Sequence, residues 1–352
     1  MLSFLAKKSN GLLGIDISSS SIKLLELSKS GSKYKVENYA SRPLPDGAVV
    51  EKNIANLDAV GETMLKISSL IETTTKKAAV AVSGSTVITK TIEMNGLMSD
   101  TEMENQIALE ADRHIPYPLE EVLIDYERQG VSEKDPDMVE VLLAACKREN
   151  VDARVAGLEI AGFDAKVVDI EAYAMERAFS LMCEQMDLDK VGLAAIIDIG
   201  ATITTMYILR DGISIYTREQ VFGGSRLSSD IQARYGLSAA DAEKVLLDED
   251  LPEGYTEDVL KPFVHEMSEQ IGRTLQFFFS SSQYNDLDLL VLAGGTAVTR
   301  GLAEMVQEDL STSTIVANPF AKMNVSKKVN ARLLHNDAAS LMLACGLAIR
   351  GF

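Results

Sequence analysis

The sequence predicts an α/β fold in which two related mixed-sheet halves face each other across a cleft. Three observations carry this expectation. First, Gly14-Ile15-Asp16-Ile17-Ser18-Ser19-Ser20-Ser21-Ile22-Lys23 reads as strand, tight polar turn and strand. Second, Ala195-Ile196-Ile197-Asp198-Ile199-Gly200-Ala201-Thr202 repeats that plan, with Asp198 in the place of Asp16 and Thr202 in the place of Ser20. A unit that recurs at such a distance suggests two related halves. Third, strand-type runs and helix-period segments alternate along 352 residues, a length that suits two domains or one bilobed body.

In the first half, apolar runs predict strands over 12–17, 22–27 and 34–41. They are joined by the serine turn and by Ser30-Gly31-Ser32, and connections this short make an antiparallel meander. Arg42-Pro43-Leu44-Pro45-Asp46-Gly47 is a loop. Leu57, Val60, Met64, Ile67, Leu70 and Ile71 fall at helical spacing, and 78–82 is a short buried-type strand. After a strand over 87–94, Ser99 or Asp100 caps a helix that ends at His114, before Pro116; acids at 102 and 104 suit its positive end. Strands over 122–129 and 138–146, a helix over 151–161, a strand over 165–170 and a helix over 171–182 complete the half. The expected division is a base of 1–84 and 164–190 with an inserted subdomain at 85–163. Asp187-Leu188-Asp189-Lys190 is the hinge into the second half.

The second half, 191–352, opens with strands over 192–199, 205–209 and 213–221. Helices over 227–235, 239–247 and 257–280 form an all-helical insert at 224–285. The base, 191–223 and 286–352, is completed by a buried strand over 287–292, a helix over 301–310 and a closing helix over 338–349. That last helix is rich in alanine and glycine, and small faces let helices cross closely.

A net charge of -18 repels nucleic acid and anionic lipid at long range and excludes both as broad-surface partners. It leaves room for a local phosphate pocket. Cys146, Cys183 and Cys345 lie in apolar surroundings without paired spacing, so they read as buried hydrophobes of a reducing compartment. His114, His265 and His335 are too scattered for a metal cluster. No apolar run approaches the ~18–20 residues of a membrane span. The start, Met1-Leu2-Ser3-Phe4-Leu5-Ala6-Lys7-Lys8, is too short for a signal peptide. It reads as a frayed terminus, with Leu2, Phe4 and Leu5 available to touch a surface or partner. A cytoplasmic location is expected.

The chemistry converges on the two hairpins. A carboxylate at a strand end, beside a turn rich in N–H and hydroxyl donors, suits a magnesium-bound phosphate. Magnesium keeps its waters and takes few carboxylates, and turn backbones form concave anion seats. The ordered set of the Asp16 and Asp198 units, Gly223-Gly224 and Val291-Leu292-Ala293-Gly294-Gly295-Thr296-Ala297 resembles the actin-like ATPase superfamily. That superfamily includes actin, the heat-shock chaperone ATPases, the sugar kinases and FtsA. The segments Gly-Ile-Asp-Ile-Ser-Ser-Ser-Ser-Ile-Lys and Ile-Asp-Ile-Gly-Ala-Thr are similar to those of the PilM family of type IV pilus assembly, and the resemblance covers essentially the whole chain.

This resemblance implies an actin-like ATPase fold that holds ATP or ADP with Mg2+ in the cleft. Asp16 and Asp198 would bind the metal mainly through its waters. The backbones of Ser18, Ser19, Ser20 and Ser21, and of Gly200, Ala201 and Thr202, would hold the β- and γ-phosphates. Lys23 either meets phosphate or is a solvated surface lysine. Gly294, Gly295 and Thr296 would lie against adenine and ribose, with Gly223 and Gly224 approaching from the other side. Glu243 resembles the ribose-contacting acid of the superfamily and is otherwise an exposed helical acid. The helices at 171–182 and 338–349 would cross beneath the cleft. Two departures stand out: Ser18 occupies a position that is glycine in many superfamily members, and no residue stands out as a base for an attacking water. Asp169 and Glu171 occupy the right region, where acids also serve the helix dipole. Nucleotide binding is therefore expected, with slow or absent hydrolysis.

The resemblance further implies an adaptor. The N-terminal cytoplasmic tail of a PilN-like inner-membrane partner would be held between the base and the 85–163 insert. The chain would sit at the inner membrane through that partner, among other pilus platform proteins and as a possible homo-oligomer. A small-molecule kinase and a polymerising FtsA-like protein are the rival expectations from the same superfamily.

Overall fold

The computed structural model describes residues 9–188, 191–247 and 251–352. The N-terminal segment 1–8 and the hinge residues Asp189 and Lys190 lie outside the described residues.

The first sheet begins with the expected meander. Strands β1 (Ser9–Ile17), β2 (Ser21–Ser30) and β3 (Lys33–Pro43) pair antiparallel, in a register that sets Asp16 opposite Lys23. A small ribbon follows, β4 (Val49–Val50) and β5 (Asn53–Ile54), too short to show a sequence period. Its turn residues, Glu51 and Lys52, both adopt positive φ (47° and 62°), the conformation a tight hairpin demands. Helix α1 (Leu57–Leu70) is capped by the Asn56 side chain and buries Val60, Met64 and Ile67. Strand β6 (Lys77–Val82) then runs parallel to β1.

A separate three-stranded sheet is made by β7 (Val87–Asn95), β8 (Val122–Val131) and β9 (Met138–Lys147), in the order β7-β9-β8. Between β7 and β8 runs helix α2 (Asp100–His114), started by a capping box of Ser99 and Glu102. Met103, Ile107 and Ala111 of that helix share a core with Val141 and Leu143 of β9. Helix α3 (Arg148–Ile160) returns to pack on α1; β10 (Asp164–Ile170) joins β6 in parallel, and α4 (Glu171–Met186) follows at once.

Strands β11 (Leu193–Ile199), β12 (Thr204–Arg210) and β13 (Ile213–Gln220) repeat the meander and set Asp198 opposite Thr205. Helices α5 (Ser225–Tyr235), α6 (Ala239–Leu247) and α7 (Lys261–Ser281) follow, and a π-helical turn at Thr256–Leu260 leads into α7. Strand β14 (Leu289–Ala293), helix α8 (Leu302–Leu310) and strand β15 (Thr314–Val316) complete the second sheet. Strand order is the same in both sheets: β3-β2-β1-β6-β10 in the first and β13-β12-β11-β14-β15 in the second. This is the duplication that the echo of Asp16 in Asp198 predicts. One strand then breaks the symmetry, because β16 (Asn324–Val325) pairs with β3 and returns the chain to the first sheet.

The closing helix departs from expectation. Instead of one helix over 338–349 there are α9 (Ala331–Asp337), a 3-10 turn at Ala338–Leu341 and α10 (Met342–Ala348). The break falls where the Ala339 carbonyl, within the 3-10 turn, accepts the Gly294 N–H at 2.9 Å, a tertiary bond. Helix α9 escapes a periodic reading because it is short and buries Leu334 while its neighbour Leu333 stays exposed.

Small residues let three layers stack backbone to backbone. A Cβ on Gly14 of β1 would collide with the Ala344 carbonyl of α10, and a Cβ on Gly346 of α10 would collide with the Ala174 carbonyl of α4. Both collisions are with main chain, which cannot swing aside. Gly346→Ala should therefore force α4 and α10 apart and cost about 1–3 kcal/mol or more. Calorimetric unfolding should show a lower Tm for the variant, and an unchanged Tm would contradict this close crossing.

Candidate functional site

The two Asp-bearing hairpins meet tip to tip: Thr202 Oγ1 donates to Ser19 Oγ at 3.1 Å. In the first turn, Ser18 closes the loop twice. Its N–H reaches the Ser21 carbonyl at 3.0 Å and its hydroxyl reaches the same carbonyl at 2.9 Å. The side chain that a glycine would lack thus braces the turn from within. Lys23 is a half-buried partner of Asp16 rather than a solvated surface lysine. Its Nζ donates to Asp16 Oδ2 at 3.0 Å and to Ser18 Oγ at 3.4 Å. Burial would lower the Lys23 ammonium pKa, but Asp16 outweighs burial and raises it.

The second turn is fastened from behind. Gly200 N–H donates to Ile203 O at 3.0 Å, while Gly224 N–H reaches Gly200 O at 2.9 Å and Ser225 N–H reaches Ala201 O at 2.8 Å. Thr296 adds two bonds, its N–H to Ile199 O and its hydroxyl to Gly200 O, each at 3.2 Å. Close approach explains three glycines. A Cβ on Gly223 would lie 2.6 Å from the Gly200 and Ala201 carbonyl oxygens, and one on Gly224 would collide with Thr296 Oγ1. Gly294, at φ 88°, would collide with the Ile199 carbonyl. Gly295 differs, since nothing lies within 4 Å of the position its Cβ would take. The structure thus places Gly223, Gly224, Gly294 and Thr296 against the second turn and leaves Gly295 beside open space. Glu243 is exposed on α6, where its neighbour Lys244 pairs with Asp241; among the described residues no hydrogen bond joins Glu243 to either turn.

Beneath the turns lies a polar cluster that the sequence reading missed. The β4–β5 turn delivers Lys52, whose Nζ reaches Glu171 Oε2 at 2.6 Å, Thr205 Oγ1 at 2.9 Å and Glu219 Oε1 at 3.4 Å. Burial would lower this ammonium's pKa; Glu171 and Glu219 more than offset that and raise it. Tyr207 donates to Glu171 at 3.3 Å, and Ser83, at the end of β6, donates to Glu219. Arg154 of α3 holds the hairpin in place. Its buried guanidinium donates to the carbonyls of Lys52 and Ala81 at 2.7 Å each and of Asn150 at 2.8 Å. No motif flags Lys52, because Val-Val-Glu-Lys-Asn-Ile lacks the Asn-Gly or Asp-Gly signal of a tight hairpin.

The two acids near the start of α4 part company. Glu171 faces this cluster. Asp169 instead pairs with Arg177, has Arg350 at 3.5 Å, and accepts the Ile170 N–H. Arg177 also donates to the Gly346 carbonyl at 3.1 Å, so the Asp169 pair fastens α4 to α10.

Asp198 stands apart. Burial pushes its carboxyl up to about 6; Lys52 and Lys23 pull it down, while Asp16 and Glu171 add repulsion. Among the described residues no hydrogen bond reaches its carboxylate. Asp16 keeps Oδ1 while Oδ2 takes Lys23. Among the described residues no three His, Cys, Asp or Glu side chains gather into a metal cage. This donor set suits Mg2+ that arrives with phosphate, because that ion takes one or two carboxylates and completes its shell with waters and phosphate oxygens.

The sequence profile of the family described as "Type IV pilus assembly protein PilM" matches residues 14–352. The chain belongs to the PilM family. A solved structure described as a "PilM-PilN type IV pilus biogenesis complex" is similar at 26% identity and TM-score 0.77, covering 97% of this chain and 98% of that one. The ethanolamine utilization protein EutJ from Carboxydothermus hydrogenoformans shares the fold at 14% identity and TM-score 0.60, covering 96% of this chain and 89% of that one. The architecture is thus the actin-like ATPase fold expected from the sequence, in a PilM-family chain.

The Asp198 environment has a pH signature. A carboxyl raised from its unfolded value stabilises the fold at pH below that value, and this contribution is lost as pH rises through about 6. Without nucleotide or divalent cation, Asp198→Asn should therefore gain stability over the wild type as pH climbs from 4 to 7. A shift of this size corresponds to roughly 2–3 kcal/mol at the upper plateau. Denaturant midpoints of the two proteins across that range test this, and parallel curves would contradict it.

Proposed function

We propose that this chain is an ATP-binding adaptor of type IV pilus assembly that holds the N-terminal cytoplasmic tail of a PilN-like membrane partner. The observation that carries the nucleotide reading is the contact of two polar turns over a half-buried Asp198 whose carboxylate keeps its acceptor capacity. In this reading the backbones of residues 18–21 and 200–202 hold the β- and γ-phosphates, Gly295 gives the base room, and Asp16 and Asp198 hold Mg2+ mainly through water. The ion supplies charge neutralisation of the phosphates. Halves 1–190 and 191–352 act as the two jaws, with the 85–163 and 224–285 inserts on either side.

Two contacts support slow or absent hydrolysis. Glu171 is held by Lys52 at 2.6 Å and Asp169 by Arg177, so each acid that could serve as a base already has a cationic partner. ATP then acts as a structural or switching ligand, whose binding shifts the protein between states.

The partner reading rests on the PilM–PilN complex, 26% identical over 97% of this chain, and on a groove. A cavity of about 320 Å³ lies between Val87 and Thr89 of β7, Ile170, Ala172 and Tyr173 at the start of α4, and Ser214, Tyr216 and Glu219 of β13. Both β7 and β13 are edge strands of their sheets. An extended peptide entering between two edges gains main-chain hydrogen bonds and side-chain pockets together. Among the described residues no helix is long and apolar enough to cross a membrane, so in this reading the partner provides the attachment to the inner membrane.

Calorimetric titration with MgATP tests the site: Asp16→Ala and Asp198→Ala should each weaken binding by about 10–100-fold, and wild-type affinity in both variants would remove the assignment. For the groove, Val87→Trp should abolish co-purification with the partner's tail while leaving MgATP affinity unchanged. Full retention of the partner would place its site elsewhere.

A further inference from the structure

The phosphate cleft and the partner groove share a side chain. Glu219 lines the groove, together with Gly84 and Ser85. The same carboxylate takes the Lys52 ammonium at 3.4 Å and the Ser83 hydroxyl, and Ser83 Oγ lies 2.9 Å from Ser85 Oγ. At its other end, Lys52 donates to Thr205, which stands opposite Asp198 on the neighbouring strand. A continuous polar chain therefore runs from the Asp198 strand pair through Thr205, Lys52, Glu219 and Ser83 to the groove wall. It passes between the halves three times, since Lys52 and Ser83 follow strands of the first half while Thr205 and Glu219 lie on strands of the second.

We propose that the Lys52–Glu219 pair couples the cleft to the groove, so that an anion bound at the two turns changes the fit of the groove to an extended peptide. This rests on the nucleotide and partner readings above. Lys52 has three partners at unequal distances, and Glu219, at 3.4 Å, is the most distant. A polyphosphate seated on the Asp198 side adds negative charge there and attracts the ammonium. The longest contact yields first, because Glu171 keeps its shorter bond. Burial would raise the Glu219 carboxyl; Lys52 and the two serine hydroxyls offset it and hold the pKa low. Once Lys52 withdraws, Glu219 is a half-buried anion with hydroxyl partners only, and the end of β13 is free to shift against β6 and β7. By linkage, a peptide that prefers the shifted groove strengthens nucleotide binding by the same factor.

Hydrogen exchange of the full chain, with and without saturating MgATP, tests the coupling. In the wild type, MgATP should slow exchange in the turns 18–21 and 200–202, and should change exchange about fivefold or more in 84–89 and 213–219. In Glu219→Gln, and separately in Ser83→Ala, the turns should still be protected when filled with MgATP, while the response in 84–89 and 213–219 collapses. A groove response that persists in both variants would overturn the proposal. So would a wild type whose turns are protected while its groove strands do not respond. If the wild-type turns gain no protection, the nucleotide reading itself fails, and the coupling falls with it.

Discussion

The constraint on which the rest depends is an ammonium largely withdrawn from water. Lys52 is carried into the space between two sheets, and a charge taken out of water there must be paired and hydrogen-bonded. Three groups from two strands and a helix satisfy it: Thr205 on β12, Glu219 on β13 and Glu171 at the first turn of α4. Meeting them requires a tight ribbon whose two turn residues, neither of them glycine, take positive φ, a conformation that costs roughly 1–2 kcal/mol per residue. Arg154 fixes that ribbon by binding the Lys52 carbonyl. Pairing this one charge ties the first half to the second directly beneath the two turns.

Above that tie, the duplicated hairpins are held by different means. The first is self-braced, through Ser18 and the Lys23–Asp16 pair. The second is held from outside, by Gly224, Ser225 and Thr296 packed against its carbonyls. The difference leaves unequal carboxylates. Asp16 is buried with a lysine in contact, while Asp198 is half-buried, takes no hydrogen bond among the described residues and has its pKa raised. The acid at the second turn is therefore the one that gains more from a cation, and the first turn's extra serine is an internal brace.

Much of the fold was legible because the sequence repeats it. The Asp16 and Asp198 units fixed two meanders. The glycines near 223 and 294, expected beside a nucleotide, make their close approaches to the second turn and to Thr296. Alanine and glycine near 344–346 announced a tight helix crossing. What escaped were features decided by tertiary contact. The last helix breaks at a carbonyl taken by Gly294, which no local period reports. Strands of two or three residues, such as β15 and β16, carry too few positions to alternate. At the site, the turn residues could be read from their spacing. Lys52, Glu219 and Arg154 could not, because each is an ordinary charged residue until the fold brings it beside its partners. Asp169 and Glu171 are two residues apart and look interchangeable, yet side-chain direction sends one to Arg177 and the other to Lys52.

The adaptor reading therefore depends on whether the paired turns bind a magnesium nucleotide. The most direct measurement is calorimetric titration of the wild-type chain with ATP, once with Mg2+ and once with a chelator. Saturable binding at one site per chain, strongly weakened by the chelator, is the predicted result. Absence of binding in both titrations would contradict the account.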